Sequence, residues 1–292
     1  MSLREPKIII HGGAGRVEGK VATREEYRIG LHCALSHAYE VLTQEGARSA
    51  VKTAIRIMES NPVFNAGTGS KLQQDGRVRM SAAIMDSSSR VFSGVINIQD
   101  VEHPIDVADQ LCDEPYEILS GYEATEFARR KGFKFHDPVT LFRFKEYQRS
   151  LRKSDKFGTV GAVAMDADGI VCSGTSTGGV GYETPGRVGD SATVAGTYAD
   201  SCGGVSCTGR GEHIISAAAA VHVVVRLREG VALKKILKEL SLTSAGHNHQ
   251  YGLIALDGSG QFGVKSTSRK ITVLHASRDA DKITDFTTHR SL

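Results

Sequence analysis

Nothing in the 292-residue chain approaches the ~18 consecutive uncharged apolar residues that a membrane helix requires, which excludes a helical membrane span. Dense basic tracts are equally absent. With 36 Lys and Arg against 33 Asp and Glu the net charge is only +3, so composition makes no case for nucleic-acid binding. Cysteine is scarce as well: Cys33, Cys112, Cys172, Cys202 and Cys207 form no C-x-x-C pair and no even-numbered framework. The N-terminus shows no basic-then-apolar signal segment. These features fit reduced, mostly buried thiols in a cytoplasmic protein and exclude a small disulfide scaffold. His247-Asn248-His249 makes a poor metal site, because histidines at i and i+2 of a strand point to opposite sides and no cysteine or carboxylate lies nearby.

What is present is an average globular composition, 40% hydrophobic and 24% charged, with one excess. Glycine occurs 32 times and clusters in short loops instead of repeating at a fixed period. Tight backbone turns are therefore expected at the working part of the molecule.

Hydrophobic periodicity gives the organisation. Residues 7–10 read as a buried strand that stops at His11-Gly12-Gly13-Ala14-Gly15. Two amphipathic helices follow over 23–46 and 47–58, then a loop around Asn65-Ala66-Gly67. A hairpin is expected over 78–98, a helical stretch over 107–132, and a charged linker over 144–158. Strands at 159–164 and 169–174 open the second half. They are followed by a strand at 203–208, a long helix over 212–227, a helix over 233–242 and a last hairpin over 251–265. The order predicts helices packed outside mainly antiparallel sheets, an α+β fold, and one domain over 1–292 because both halves supply strands.

Two readings compete for the glycine-rich segments. Gly174-Thr175-Ser176-Thr177-Gly178 fits the G-x-S-x-G nucleophile elbow of an α/β-hydrolase, with Ser176 as nucleophile and His11-Gly12-Gly13 as the oxyanion turn. That elbow needs a helix after the serine, whereas Gly178-Gly179-Val180-Gly181 and Pro185-Gly186 follow it. The second reading centres on Gly158-Thr159, where the charged segment meets a strand. A threonine that is itself a chain N-terminus carries an α-amine of pKa ~7.7 to 8.0, which can act as general base for its own hydroxyl. An internal Thr159 gains that amine only if the Gly158–Thr159 bond is cut first.

The run Gly158-Thr159-Val160-Gly161-Ala162-Val163-Ala164-Met165-Asp166 resembles the start of the β subunit in the plant-type asparaginase and isoaspartyl peptidase family of N-terminal nucleophile hydrolases. The resemblance continues through Thr175-Ser176-Thr177-Gly178-Gly179, Gly186-Arg187-Val188-Gly189-Asp190-Ser191, Tyr198-Ala199-Asp200 and Ser206-Cys207-Thr208-Gly209-Arg210-Gly211-Glu212. His11 to Gly15 and Asn65-Ala66-Gly67 extend it over most of the chain. It implies a four-layer αββα sandwich, self-cleavage into 1–158 and 159–292, and hydrolysis of L-asparagine and β-aspartyl dipeptides. By the same resemblance Thr159 is the cleavage-site and catalytic nucleophile, and Thr177 a hydroxyl beside it. Thr208 and the N–H of Gly209 would form the oxyanion hole, which also contacts substrate. Arg187 would hold the substrate α-carboxylate, Asp190 its α-ammonium, and the Gly211 carbonyl would assist Asp190. Guanidinium and carboxylate are chemically suited to those partners. Asn65 would support the group at Thr159.

The resemblance implies no organic cofactor and no metal held through side chains, but a sodium ion at backbone carbonyls of Met58 to Gly67. It also implies a dimer of cleaved αβ units acting on small molecules, without nucleic acid or membrane. Departures from the family pattern fall at Arg210, Tyr182-Glu183, Ser81 and Tyr251. Glu183 stands where the family commonly has Lys; if it faces the leaving group, it should repel the C-terminal carboxylate of a β-aspartyl dipeptide. A non-catalytic, uncleaved amino-acid-binding relative remains an alternative, separated from the hydrolase by whether the chain appears as one band or two on a denaturing gel.

Overall fold

The computed structural model describes residues 4–15, 22–150, 158–268 and 271–287. Strand β1 (Lys7–Gly15) leads into α1 (Arg24–Glu45) and α2 (Ala47–Ser60). A capping box starts α1: Thr23 Oγ1 accepts from the Glu26 N–H at 3.1 Å, and the Glu26 carboxylate accepts from the Thr23 N–H at 2.6 Å. The hairpin β2 (Met80–Asp86) and β3 (Phe92–Ile98) comes next, as its pattern predicts.

The stretch expected to be helical over 107–132 is divided. Helix α3 (Pro104–Gln110) ends before Pro115, strand β4 (Ile118–Ser120) pairs parallel to β3, and α4 (Gly121–Arg130) begins after it. Pro115 pushes Glu114 into extended backbone and cannot donate to a helical ladder, and the Gly94 N–H then captures the Glu117 carbonyl at 2.9 Å. The charged segment is corrected too. Residues Leu141–Ser150 form helix α5, in which Arg143 is buried, while 151–157 lie outside the described residues.

The second half supplies β5 (Val160–Met165), β6 (Val171–Thr177), β7 (Thr197–Asp200) and β8 (Gly203–Gly209). The single helix expected over 212–227 is two, α6 (Gly211–Ala217) and α7 (Ala219–Arg228), separated by Ala218 at φ 45°. Tertiary bonds support the break, since the N–H groups of Ala220 and Val221 at the start of α7 go to the carbonyls of Ala195 and Val194. Helix α8 (Leu233–Gly246) precedes β9 (Tyr251–Asp257), β10 (Phe262–Ser266), β11 (Thr272–Asp279) and β12 (Lys282–Asp285). The last two strands escape a local pattern reading because β11 is specified by its long-range pairing with β1.

Two sheets result. The eight-stranded sheet runs β12-β11-β1-β5-β6-β2-β3-β4, drawing strands from both sides of Gly158, and the four-stranded sheet runs β10-β9-β8-β7. Among the described residues every strand pairing is antiparallel except β3–β4. The fold is therefore mixed α+β with antiparallel sheets. Val160, Ala162 and Ala164 enter one core with α1 and α2, whereas Val163 and Met165 enter another with Ile254 and Leu256 of β9. This two-residue alternation puts odd-numbered positions of β5 on the face toward the smaller sheet. Thr159, just before β5, shares that face and opens between the sheets.

Candidate active site

Strand β6 pairs with β5 in the register Val160↔Ser176 and Gly161↔Thr175. Alternation along β6 then decides which hydroxyls meet Thr159. Ser173 bonds the Val205 carbonyl of β8 and Thr175 bonds Ser206 Oγ, so Thr177 continues this row and its Oγ1 lies 3.1 Å from Thr159 Oγ1. Ser176 necessarily points the other way. It is fully buried within strand β6, next to its last residue, and donates to Glu59 Oε1 of α2 at 2.5 Å. With a carboxylate and no imidazole at its hydroxyl, and no turn at its backbone, Ser176 is excluded as an elbow nucleophile.

The carbonyl oxygen of Gly158 is the focus of the site. Asn65 Nδ2 donates to it at 2.8 Å, Thr177 Oγ1 lies 3.2 Å away and Thr159 Oγ1 2.8 Å away. Asn65 is held in turn: its Nδ2 also reaches the Gly179 carbonyl at 2.6 Å, and its Oδ1 accepts from the Lys71 N–H at 2.9 Å. The glycine-rich irregularity of β1 packs against the same bond; the sequence expected a turn here, but the strand continues to Gly15. The register with β11 shifts between His11 and Ala14, Gly13 has φ 119°, and a side chain on it would meet the Gly158 and Thr159 backbone at about 3.5 Å. His11 lies beneath, fully buried, with Nε2 2.9 Å from Ser206 Oγ. Burial holds its imidazole neutral, with the pKa pulled down to about 3.

One small cavity joins these groups. Gly158, Thr159, Thr177, Arg187, Asp190, Ser191, Gly209 and Gly211 are all on its lining. Among the described residues, Arg187 Nη2, Asp190 Oδ2 and Ser191 Oγ are buried polar atoms with no protein partner, and Thr208 Oγ1, on the strand that leads to Gly209, is another. Such orphans are costly unless a ligand or water completes them. A side chain on Gly211 would meet Arg187 Nη2 at 2.8 Å and Asp190 Oδ1 at 3.0 Å, so glycine there keeps open the space between a cation and a carboxylate. Burial pushes the Asp190 carboxyl up to about 7 against the opposing pull of Arg187. Arg187 is also committed elsewhere: Nη1 donates to Glu183 at 2.9 Å and Nε to Glu212 at 2.8 Å.

Of the expected site residues, Gly158, Thr159, Thr177, Arg187, Asp190, Gly209 and Gly211 line this cavity, whereas Asn65 meets it through the Gly158 carbonyl and Thr208 precedes Gly209 on β8. The sequence reading assigned no role to Ser191, whose only signal was its place after Asp190, or to the Glu183–Arg187 contact. The expectation that Glu183 reads the leaving group is corrected. Its side chain is turned inward onto Arg187, Gln73 Nε2 and the Val180 N–H. Of the other departures, Ser81 pairs with Thr177 and Tyr251 with Gly209 in the strand register. Ser81 Oγ accepts from the Asn97 N–H, Tyr182 packs near Tyr147, Arg210 is exposed, and Tyr251 is buried with its hydroxyl 2.7 Å from Ser244 Oγ. In Met58 to Gly67, the Phe64 carbonyl faces the guanidinium of buried Arg143, whose Nε also donates to the Gly69 carbonyl at 2.5 Å. No helix among the described residues is long and apolar enough to cross a membrane.

Comparison with known proteins agrees with the motifs. A family model described as asparaginase matches residues 4–287. An isoaspartyl peptidase/L-asparaginase of Synechocystis sp. is 42% identical over 87% of this chain and 83% of its own length. One of the same name from Nostoc sp. is 38% identical over 96% and 94%, and a plant-type L-asparaginase of Pyrococcus abyssi is 37% identical over 91% and 94%. With the family model covering nearly the whole chain and relatives of this identity along most of its length, the chain belongs to the asparaginase family.

Proposed function

We propose that this protein is an amidohydrolase that cuts its own Gly158–Thr159 bond and then uses the new N-terminal Thr159 to hydrolyse L-asparagine and β-aspartyl dipeptides. The observation that carries the reading is one cavity lined by Thr159, Arg187 and Asp190, in which Arg187 Nη2 has no partner and lies across Gly211 from the Asp190 carboxylate. An α-amino acid offers the complementary pair. Its carboxylate fits Arg187 and its ammonium fits Asp190, which presents the β-carbonyl to Thr159. Relatives named isoaspartyl peptidase/L-asparaginase support the substrate class. The test is release of ammonia from L-asparagine and cleavage of β-aspartyl dipeptides, with α-linked dipeptides left intact; equal turnover of both linkages removes the clamp from the account.

Self-cleavage follows from groups already on the Gly158 carbonyl. Thr159 Oγ attacks the Gly158 carbonyl carbon, the C–N bond breaks as the amine takes a proton, and water hydrolyses the resulting ester. Negative charge develops on the Gly158 oxygen, where Asn65 Nδ2 and Thr177 Oγ1 stand ready to donate. Asn65→Ala is expected to slow the appearance of the 159–292 fragment at least tenfold, since loss of one preorganised donor typically costs ~3 kcal/mol. An unchanged time course on a denaturing gel would remove Asn65 from the step.

After cleavage the α-amine of Thr159 serves as base for its own hydroxyl, with Thr177 beside it. Thr208 and the Gly209 N–H receive the oxyanion, and the Gly211 carbonyl assists Asp190. Asp190 binds an ammonium only when ionised, so with its carboxyl pushed up to about 7 the value of kcat/KM should climb with pH below 7. The Thr159 amine, ordinarily ~7.7 to 8.0, must also be unprotonated and steepens this limb. A profile flat from about pH 5 to 8 contradicts both roles.

The wider assignment is a four-layer αββα sandwich of the N-terminal nucleophile type. Support comes from α1 and α2 on one face of the larger sheet, the smaller sheet on its other face, and α7 and α8 beyond that. Cytoplasmic location, supported by five free thiols of which only Cys172 and Cys207 are buried, Cys112 and Cys202 being half-buried and Cys33 exposed against the expectation, and assembly as a dimer of αβ units complete the proposal. A structural sodium ion would be held by carbonyls of Met58 to Gly67, whose oxygen donors suit a hard cation, other than the Phe64 carbonyl, which the Arg143 guanidinium faces.

A further inference from the structure

We propose that Glu183 is an internal competitor for the substrate α-carboxylate, holding part of the Arg187 fork before substrate arrives. This deepens the reading above and rests on it. The geometry is built, not incidental. Glu183 Oε2 accepts from Arg187 Nη1 at 2.9 Å and from the Val180 N–H at 3.1 Å, while Oε1 accepts from Gln73 Nε2 at 3.1 Å. Only 6% of the Glu183 side chain is exposed, so water does little to screen the pair. Gly179 makes room for it, since a side chain there would meet Glu183 Oε1 at 2.1 Å.

Charge counting gives the consequence. One guanidinium faces three carboxylates: Glu183 on Nη1, Glu212 on Nε, and Asp190 across Gly211. Nη2 is the nitrogen left without a partner. A free α-carboxylate entering the cavity binds beside Glu183 and must share Arg187 with it, so its affinity is lowered by repulsion from a fixed like charge. A substrate whose α-carboxyl is neutral does not meet that repulsion. Glu183 is therefore a specificity-determining residue that narrows the advantage of free amino acids over α-amidated ones.

The experiment compares L-asparagine with its α-amide in the wild type and in Glu183→Gln, which keeps the shape and an acceptor oxygen while removing the charge. KM for L-asparagine should fall at least threefold in the variant with kcat within twofold, and KM for the α-amide should stay unchanged. A rise in KM for L-asparagine overturns the proposal, because it shows Glu183 serving to position Arg187. An equal shift for both substrates overturns it as well. Should Glu183→Gln not fold, the wild type decides through inhibition by L-aspartate and by its α-amide: a ratio of inhibition constants below tenfold is expected, and one above a hundredfold refutes the competitor. If the wild type, cleaved or not, turns over neither L-asparagine nor a β-aspartyl dipeptide, the hydrolase reading itself fails, a result distinct from active wild type with an unmoved KM.

Discussion

Thr159→Ala is expected to remain one 31.3 kDa chain indefinitely, while the wild type resolves into fragments 1–158 and 159–292. The reason lies in the geometry around one carbonyl. Thr159 Oγ1, 2.8 Å from the Gly158 oxygen, is the hydroxyl adjacent to the scissile carbon and belongs to the residue whose amine must be freed. Removing it leaves Asn65 and Thr177 able to polarise the carbonyl but nothing to attack it. Hydrolase activity disappears in the same variant, because neither the nucleophile nor its α-amine base is generated. Denaturing electrophoresis and intact mass read the outcome. Cleavage of the same bond in the alanine variant would end the mechanism, and a wild type that stays whole after long incubation favours the amino-acid-binding relative.

Arg187→Ala should be the most damaging change in the cavity that leaves Thr159 intact. It removes the cation from Glu183, which is nearly enclosed, and from Asp190, which is buried. Breaking a buried pair by deleting one partner costs about 3 kcal/mol or more of stability, so a clear drop in melting temperature is expected. The value of kcat/KM should fall at least a hundredfold, about 2.7 kcal/mol, as the α-carboxylate loses its partner and meets two unpaired carboxylates. Arg187→Lys is milder but not conservative. A lysine keeps the charge yet cannot hold Glu183 and Glu212 while offering a third donor, so a tenfold loss, about 1.4 kcal/mol, is expected. Pairing Arg187→Ala with Glu183→Gln separates the two effects: stability should recover in part, and activity should not. Wild-type kcat/KM in Arg187→Lys would show that no fork geometry is used.

The identity of the elements that build the site was legible from local pattern, and their boundaries mostly were. Residues 23–58 carry period-3.6 apolar spacing and 78–98 a hairpin pattern, whereas 7–10 is a continuous apolar run buried on both faces, whose strand continues through the expected glycine turn to Gly15. Where the expectation failed, a distant partner had overridden it. The charged segment over 144–158 reads as a linker, yet residues up to Ser150 continue helix α5, which Arg143 anchors through the carbonyls of Phe64 and Gly69. The long helix over 212–227 breaks because carbonyls of Ala195 and Val194 take the N–H groups that would continue it. Strand β11 exists because β1 offers it an edge.

The same division runs through the site. Residue types and their order carried the resemblance to the family, and through that resemblance the Gly158–Thr159 junction and the candidates Asn65, Thr177, Arg187, Asp190, Thr208, Gly209 and Gly211. Three matters were left to the tertiary structure. Strand register sends Thr177 toward Thr159 and Ser176 toward Glu59, a choice between neighbours that a G-x-S-x-G pattern cannot make. Packing places Asn65 on the Gly158 carbonyl across 93 residues of chain. The inward turn of Glu183 converts an apparent surface departure into a charge on Arg187. Sequence lists the charges available, but which of them meet depends on what each side chain is packed against, and that is a property of the folded molecule alone.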